Sequence, residues 1–248
     1  MSPPVLITSS VIAQDPGVRL ADSTERLNLT LESVGEWLKI DPHIKLVICD
    51  GSNYDFAHEL KNLYPGANIE SLCFLNDSKL VQTHGRGYGE GEIVKYAVNN
   101  SRYISESESF VKCTAKLWVQ NYKQCIADWT GGFKFKAVFL NVFSLFKQIQ
   151  LLQIDTRFYI ASKQEYLQLF ENAHLFIDKE AGHGLEDCFL DIILRNQIKP
   201  SFLNVYPVIC GTGGGTGVPY KHSFTRRIKE NLRLKIAQRS SSYREYFN

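Results

Sequence analysis

No run of uninterrupted apolar residues in this 248-residue chain approaches the roughly 18 positions that a membrane-spanning helix needs. The N-terminus, Met1-Ser2-Pro3-Pro4, has neither the basic start nor the small-residue cleavage site of a secretion signal, so the expected location is the cytoplasm. Cysteine pairs are missing as well. The six cysteines sit at 49, 73, 113, 125, 188 and 210, none forms Cys-x-x-Cys, and most lie in apolar segments. That argues against a disulfide framework or a zinc site and for buried thiols in a reducing compartment. Asp-x-Asp, a carboxylate pair suited to a divalent ion on a phosphate, occurs nowhere. Repeats and low-complexity linkers are absent too, which favours one main domain. What is present, 44% hydrophobic and 22% charged residues, excludes a disordered or collagen-like chain.

The net charge of +2 is unevenly spread. Residues 1–220 carry 20 basic and 24 acidic side chains, residues 221–248 eight and two. A mildly acidic body with a basic tail suits an anionic partner for the tail. Nucleic acid is the weaker candidate, because no platform of aromatic and basic side chains accompanies the charge.

Strands and helices alternate along the first third. An apolar strand starts at Val5 and ends in Ser9-Ser10, and a helix capped by Asp22 or Ser23 follows. A second strand stops at Asp50-Gly51-Ser52, a short helix ends at Tyr64-Pro65-Gly66, and a third strand covers about 69–75. The alternation predicts an α/β fold with a mostly parallel sheet, whose ligands gather at the carboxyl ends of the strands. Further on, the pattern predicts a Gly-rich loop at 85–91 before a helix at 93–99, and a strand over 110–119. It predicts helices within the apolar run 133–152, a short strand at 156–160, helices at 163–171 and from 185 to about 195, and a strand at 205–210. A flexible loop at 211–217 and a basic helix at 223–238 complete the expectation. The boundaries divide the chain into a main domain, 1–222, and a helical tail, 223–248.

Two segments have the makings of a phosphate site. Glycines at 85, 87, 89 and 91 let backbone approach a ligand, and the following helix N-terminus favours an anion. The segment is neither a Rossmann fingerprint nor a Walker loop, and a plain turn explains it equally. On a strand, Lys112, Thr114 and Lys116 share one face. Two ammonium groups and a hydroxyl suit a diphosphate, although a solvated edge strand gives the same pattern.

In order, Arg86-Gly87-Tyr88-Gly89-Glu90, Phe110-Val111-Lys112-Cys113-Thr114-Ala115-Lys116, Asp155-Thr156-Arg157-Phe158-Tyr159, Leu185-Glu186-Asp187 and Cys210-Gly211-Thr212-Gly213 span nearly the whole chain. The ordered set resembles GT-A-type glycosyltransferases, in particular the small bacterial surface-polysaccharide enzymes that build lipopolysaccharide or capsule. The chain departs from their pattern at Ala115-Lys116, where Gly-Arg is usual. The resemblance implies a single GT-A-like, Rossmann-like domain, a nucleotide-sugar donor, and a glycan or lipid-linked acceptor. It implies no cofactor and no metal: Lys112 and Lys116, with Thr114, would stabilise the leaving phosphate where Asp-x-Asp normally holds an ion. Arg157, Tyr220, Lys221 and His222 are further phosphate contacts. Thr8, Ser9, Arg26, Asp50, Gly51, Gly85, Gly87, Tyr88, Gly89 and Glu90 would hold the donor. Glu186, with Asp187 and Asp155 near it, is the candidate base for an acceptor hydroxyl; a first-turn acid serving the helix dipole explains Glu186 equally. In the tail, Phe224, Ile228 and Leu232 recur every four residues among basic side chains. That pattern fits peripheral docking on an anionic inner membrane face, and packing on the domain fits the same stripe. The competing readings are a nucleotidyltransferase making an activated sugar and an inactive nucleotide- or glycan-binding partner.

Overall fold

The computed structural model describes residues 2–220 and 223–247. Its first part alternates as the apolar pattern requires: β1 (Val5–Ser9), α1 (Ser23–Ile40), β2 (Leu46–Asp50), α2 (Ala57–Leu63), β3 (Ile69–Cys73), α3 (Ser78–His84) and α4 (Arg86–Asn100). Asp22 caps α1 by accepting from the Glu25 N–H at 2.7 Å, and Asp77 caps α3 in the same way. Next come α5 (Arg102–Ser105), β4 (Ser109–Thr114), β5 (Leu117–Val119), α6 (Tyr122–Ile126), β6 (Lys134–Leu140) and β7 (Gln150–Ser162). The chain continues through α7 (Lys163–Glu165), α8 (Leu185–Arg195), β8 (Ile209–Thr212), β9 (Pro219–Tyr220) and α9 (Phe224–Arg239).

The central sheet has six strands in the order β3-β2-β1-β4-β7-β6. The first four are parallel; β7 runs antiparallel to both β4 and β6. Both faces are covered, and alternate residues of one strand enter different cores. Leu6, Val47 and Phe110 join a cluster with α4 and α8, whereas Val5, Ile7, Ile48 and Val111 join one with α1 and α2. A second sheet, β5-β8-β9, stands beside the carboxyl ends of the parallel strands.

Four expectations are corrected. The run 133–152 is not helical: it holds β6 and the start of β7, which pair as a hairpin, and Phe133, Phe135 and Phe139 enter the core at odd positions, the period of a strand. Apolar content alone does not distinguish a buried helix from a buried strand, and the aromatic and β-branched residues here suit the sheet. The strand expected over 110–119 is broken into β4 and β5 by Ala115 and Lys116, the latter in the left-handed region at φ 69°. The segment expected as a helix at 163–171 is one α-turn followed by a π-turn over Tyr166–Phe170. The Gly-rich segment is no loop, since α4 begins at Arg86.

The tail is fastened at its far end. Ala237 and Phe247 are buried, and the Ser201 and Phe202 N–H groups both donate to the Tyr246 carbonyl. Among the described residues, no helix is long and apolar enough to cross a membrane.

Candidate functional site

The carboxyl ends of β1 and β4 open into a cavity of about 500 Å3. Thr8 and Ser9 reach it from β1, Thr114 and Lys116 from the end of β4, and Arg157 from β7. Gly85, Gly87, Gly89 and Glu90 line it at the N-terminus of α4, and Glu186 does so at the N-terminus of α8. The β8–β9 turn, 213–216, and Tyr220 form another wall. Two helix N-termini thus border one cavity, each with partial positive charge.

Lys116 is the central cation. Its side chain is 3% exposed, yet among the described residues its Nζ has no hydrogen bond or ion pair. Burial lowers its pKa to about 7, helped by the Arg26 charge and opposed by Asp50 and Glu90. A buried ammonium without a partner is costly unless an anion joins it. Gly211, at φ 104°, is what allows this geometry. A Cβ there would lie 2.0 Å from the Lys116 carbonyl oxygen, so β8 passes the lysine's own backbone as only glycine can.

Lys112 stands differently from expectation. Its three N–H bonds are all spent on the protein: Glu90 Oε1 at 2.5 Å, Thr114 Oγ1 at 2.9 Å and the Thr156 carbonyl at 2.8 Å. It is buried and lies outside the cavity lining, so it positions Glu90 and leaves no donor for a phosphate. Glu90 Oε1 also accepts from Thr8 at 3.1 Å and Thr114 at 2.8 Å. Burial opposes the Glu90 charge, but Lys112 and these donors hold its pKa below the usual carboxylate range.

Several expected contacts turn out to be framework. Asp50 is fully buried and away from the cavity lining; its oxygens accept from the Val11, Ser52 and Tyr54 N–H groups and the Ser52 hydroxyl. It therefore holds the β2 turn and leaves no oxygen for a ribose or base. Gly51 packs against Asn76, and Tyr88 faces the core. Arg26 reaches the cavity wall, but its guanidinium donates to the carbonyls of Ser10, Leu20 and Gly214, tying the β8–β9 turn to the loop after β1. Asp187 accepts from the Gly184 N–H at 2.8 Å, which makes it the cap of α8. Asp155 is buried between Arg157 and Lys136, at 2.5 and 3.1 Å. Burial opposes its charge, yet these two cations hold it well below the usual carboxylate range. It orients Arg157, whose guanidinium lies 4.7 Å from the Tyr220 ring centre. Lys221 and His222 lie outside the described residues.

Glu186 faces the cavity with one oxygen accepting from Thr156 Oγ1 at 2.8 Å. Two further groups in the wall, Asn76 and Asp15, carry no signal in the sequence. Asn76 is 5% exposed and donates to the Gly89 carbonyl, but its Oδ1 has no partner; nor does the buried Ser9 Oγ. Asp15 caps α4 by accepting from the Arg86 N–H at 3.2 Å, across 71 residues that local pattern does not connect. Among the described residues, no group of three His, Cys, Asp or Glu side chains is gathered as for a metal ion.

No family model matches this sequence, and no curated protein matches it. Solved structures do share its fold. The glycosyltransferase GlyE of Streptococcus pneumoniae is similar over 82% of this chain and 46% of its own, with 7% identity and a TM-score of 0.50. The chain thus spans about half the length of that protein. The inositol-1-phosphate CTP transferase of T. maritima covers 93% and 96% at 10% identity and a TM-score of 0.45. A 4-diphosphocytidyl-2C-methyl-D-erythritol synthase covers 94% and 99% at 10% identity and 0.42. The fold is GT-A-like; identities this low speak for architecture alone.

Proposed function

We propose that this chain is a glycosyltransferase that moves a sugar from a nucleotide-sugar donor to a glycan or lipid-linked acceptor. The observation that carries the reading is Lys116: a largely buried ammonium, with no protein partner among the described residues, lining a 500 Å3 cavity that two helix N-termini also border. A phosphate in the cavity would supply the missing anion.

In the transfer step, Glu186 takes the proton of an acceptor hydroxyl whose oxygen bonds to the anomeric carbon. The bond from that carbon to the phosphate oxygen breaks, and its electron pair leaves with the phosphate. Lys116 stabilises this charge, with the N-termini of α4 and α8 adding their dipoles. We assign leaving-group stabilisation to these groups and not to a metal ion. Asn76 Oδ1 and Ser9 Oγ, unpaired in the wall, suit the hydrogen-bond donors and acceptors of a nucleoside. The β8–β9 turn covers the donor and keeps water from the reactive carbon. The acceptor approaches on the Glu186 side.

The test is thermal stabilisation by UDP, GDP, CMP, CDP and dTDP, first with EDTA and then with Mn2+. A nucleotide at 100 times its Kd adds about 2.7 kcal/mol. The expected result is a shift with one nucleotide in EDTA. A shift seen only with Mn2+ would overturn the role of Lys116, and no shift with any nucleotide would overturn the donor assignment.

A further inference from the structure

The helix α9 has two opposed faces. Arg226, Glu230, Arg233 and Leu234 face β6 and the 203–207 segment across a shared cavity, and Ala237 is buried. At 100° per residue, Phe224, Ile228 and Leu232 fall on the opposite side, together with Lys235 and Arg239. Those three apolar side chains are 76%, 51% and 50% exposed. Docking of α9 on its own domain therefore does not account for them.

A second apolar projection lies at the β6–β7 connection. Leu145 and Phe146 are 93% and 97% exposed at its tip. The connection meets α9 on its inward side, where the Arg233 guanidinium sits 5.6 Å from the Phe143 ring centre, and Leu145 and Phe146 project beyond that contact. Residues 141–149 contain no acid and one base, Lys147, and α9 carries Glu230 as its one acid, paired with Arg233 at 2.6 Å.

We infer that the β6–β7 connection and the outer face of α9 together form a docking surface for an anionic lipid bilayer, with Leu145 and Phe146 as the inserting tip. The chemistry selects this occupant. Exposed apolar side chains gain by entering the acyl boundary, and the cations around them pair with lipid phosphates. A two-fold contact with a second copy would bring the cations Lys147, Arg227, Lys229, Lys235 and Arg239 of one copy up to the same cationic set of the other, a like-charge cost with no unpaired acid on either segment to offset it. The inference goes beyond the transferase reading and does not depend on it. The two are close in sequence: β9 ends in the cavity residue Tyr220, and α9 begins at Phe224.

The experiment is co-sedimentation of the full chain with phosphatidylcholine vesicles, with and without phosphatidylglycerol. Two double variants are compared, Leu145→Ser with Phe146→Ser, and Ile228→Ser with Leu232→Ser. The altered side chains are half-exposed or more, so melting temperatures should stay at the wild-type value. Binding is expected only with phosphatidylglycerol, reversed by salt and weakened about tenfold or more in each double variant. Absence of binding, equal binding to neutral vesicles, or unchanged binding of the Leu145→Ser, Phe146→Ser variant would overturn the inference. So would a wild-type dimer that this variant converts to monomer.

Discussion

A buried cation without a protein partner costs stability in the free protein, and under the proposed function Lys116 trades that stability for binding. Below about pH 7 the folded protein keeps it charged; between about 7 and its ordinary value of 10.5 only the unfolded chain holds that proton. The contribution of Lys116 to stability should therefore rise with pH across that window and be most unfavourable below it. Lys116→Met should raise the melting temperature of the free protein, by about 1–2 kcal/mol of stability near pH 6, while abolishing the nucleotide-induced shift. A variant no more stable than wild type and still stabilised by nucleotide would remove Lys116 from the site. The same titration predicts that nucleotide affinity falls as pH rises through 7, and that Lys116→Arg flattens this dependence. Isothermal titration at pH 6 and pH 8.5 reads it directly. In the proposed mechanism Glu186 serves the chemistry and not donor binding. Glu186→Gln should lower kcat by about 10²–10⁴ while the thermal shift with nucleotide survives, and loss of both together would make Glu186 a binding group. The hydrogen bonds explain why the sequence did not separate Lys112 from Lys116. Both are lysines near the end of one strand, and what distinguishes them is Glu90, 22 residues away, which claims the first and leaves the second.

Among the elements, α4 carries the strongest conflict between local propensity and packing. Glycine is a poor helix former, yet Gly87, Gly89 and Gly91 lie inside this helix. The cause is close approach: a Cβ on Gly91 would come within 2.3 Å of the His174 Cβ, and one on Gly87 within 3.2 Å of Leu185 Cβ. Gly91→Ala should therefore destabilise the protein by about 1–3 kcal/mol, although alanine favours a free helix by up to about 1 kcal/mol. Denaturant unfolding decides the sign, and a stabilised variant would show that the contact relaxes freely. This long-range cause is also why the segment reads as a loop: the residues that crowd Gly87 and Gly91 lie more than 80 positions away in the chain. Elements whose determinants are local read correctly. Asp22 caps a helix that begins where expected, and the parallel strands follow from their apolar runs and Asp-Gly stop, whereas α3, capped by Asp77, has no counterpart in the sequence reading. β6 and β9 escape that reading, and β5, β7 and β8 are legible only in part, as the end of a longer strand, a short strand at 156–160 and a strand at 205–210; β5, β8 and β9 are two to four residues long and take their identity from their partners.

At the scale of the whole molecule, the question is whether residues 223–248 are an appendage or a part of the fold. Their charge sets them apart from the acidic body, and the outer face of α9 does look outward. Their far end does not. Phe247 is 1% exposed in a cluster with Phe139 and Phe202, the Leu151 N–H donates to the Tyr243 hydroxyl at 3.0 Å, and two N–H groups beyond α8 depend on the Tyr246 carbonyl. Removing the tail uncovers the edge of the β6–β7 hairpin and leaves buried backbone donors unpaired. Fully burying one phenylalanine contributes about 1.5–3 kcal/mol, and each orphaned buried donor costs about 1–3 kcal/mol. Against a total stability of about 5–15 kcal/mol, a chain ending at residue 222 should be largely unfolded or lose at least about 4 kcal/mol. Its thermal melt would show a broad, low transition, and its nucleotide-induced shift would vanish with the fold. A chain of 222 residues that melts cooperatively at the wild-type temperature would make the tail a separate module and return the domain boundary to the position its charge suggests. The stronger expectation is that the basic helix is strapped down at its C-terminal end, so that the surface it presents moves with the cavity and not independently of it.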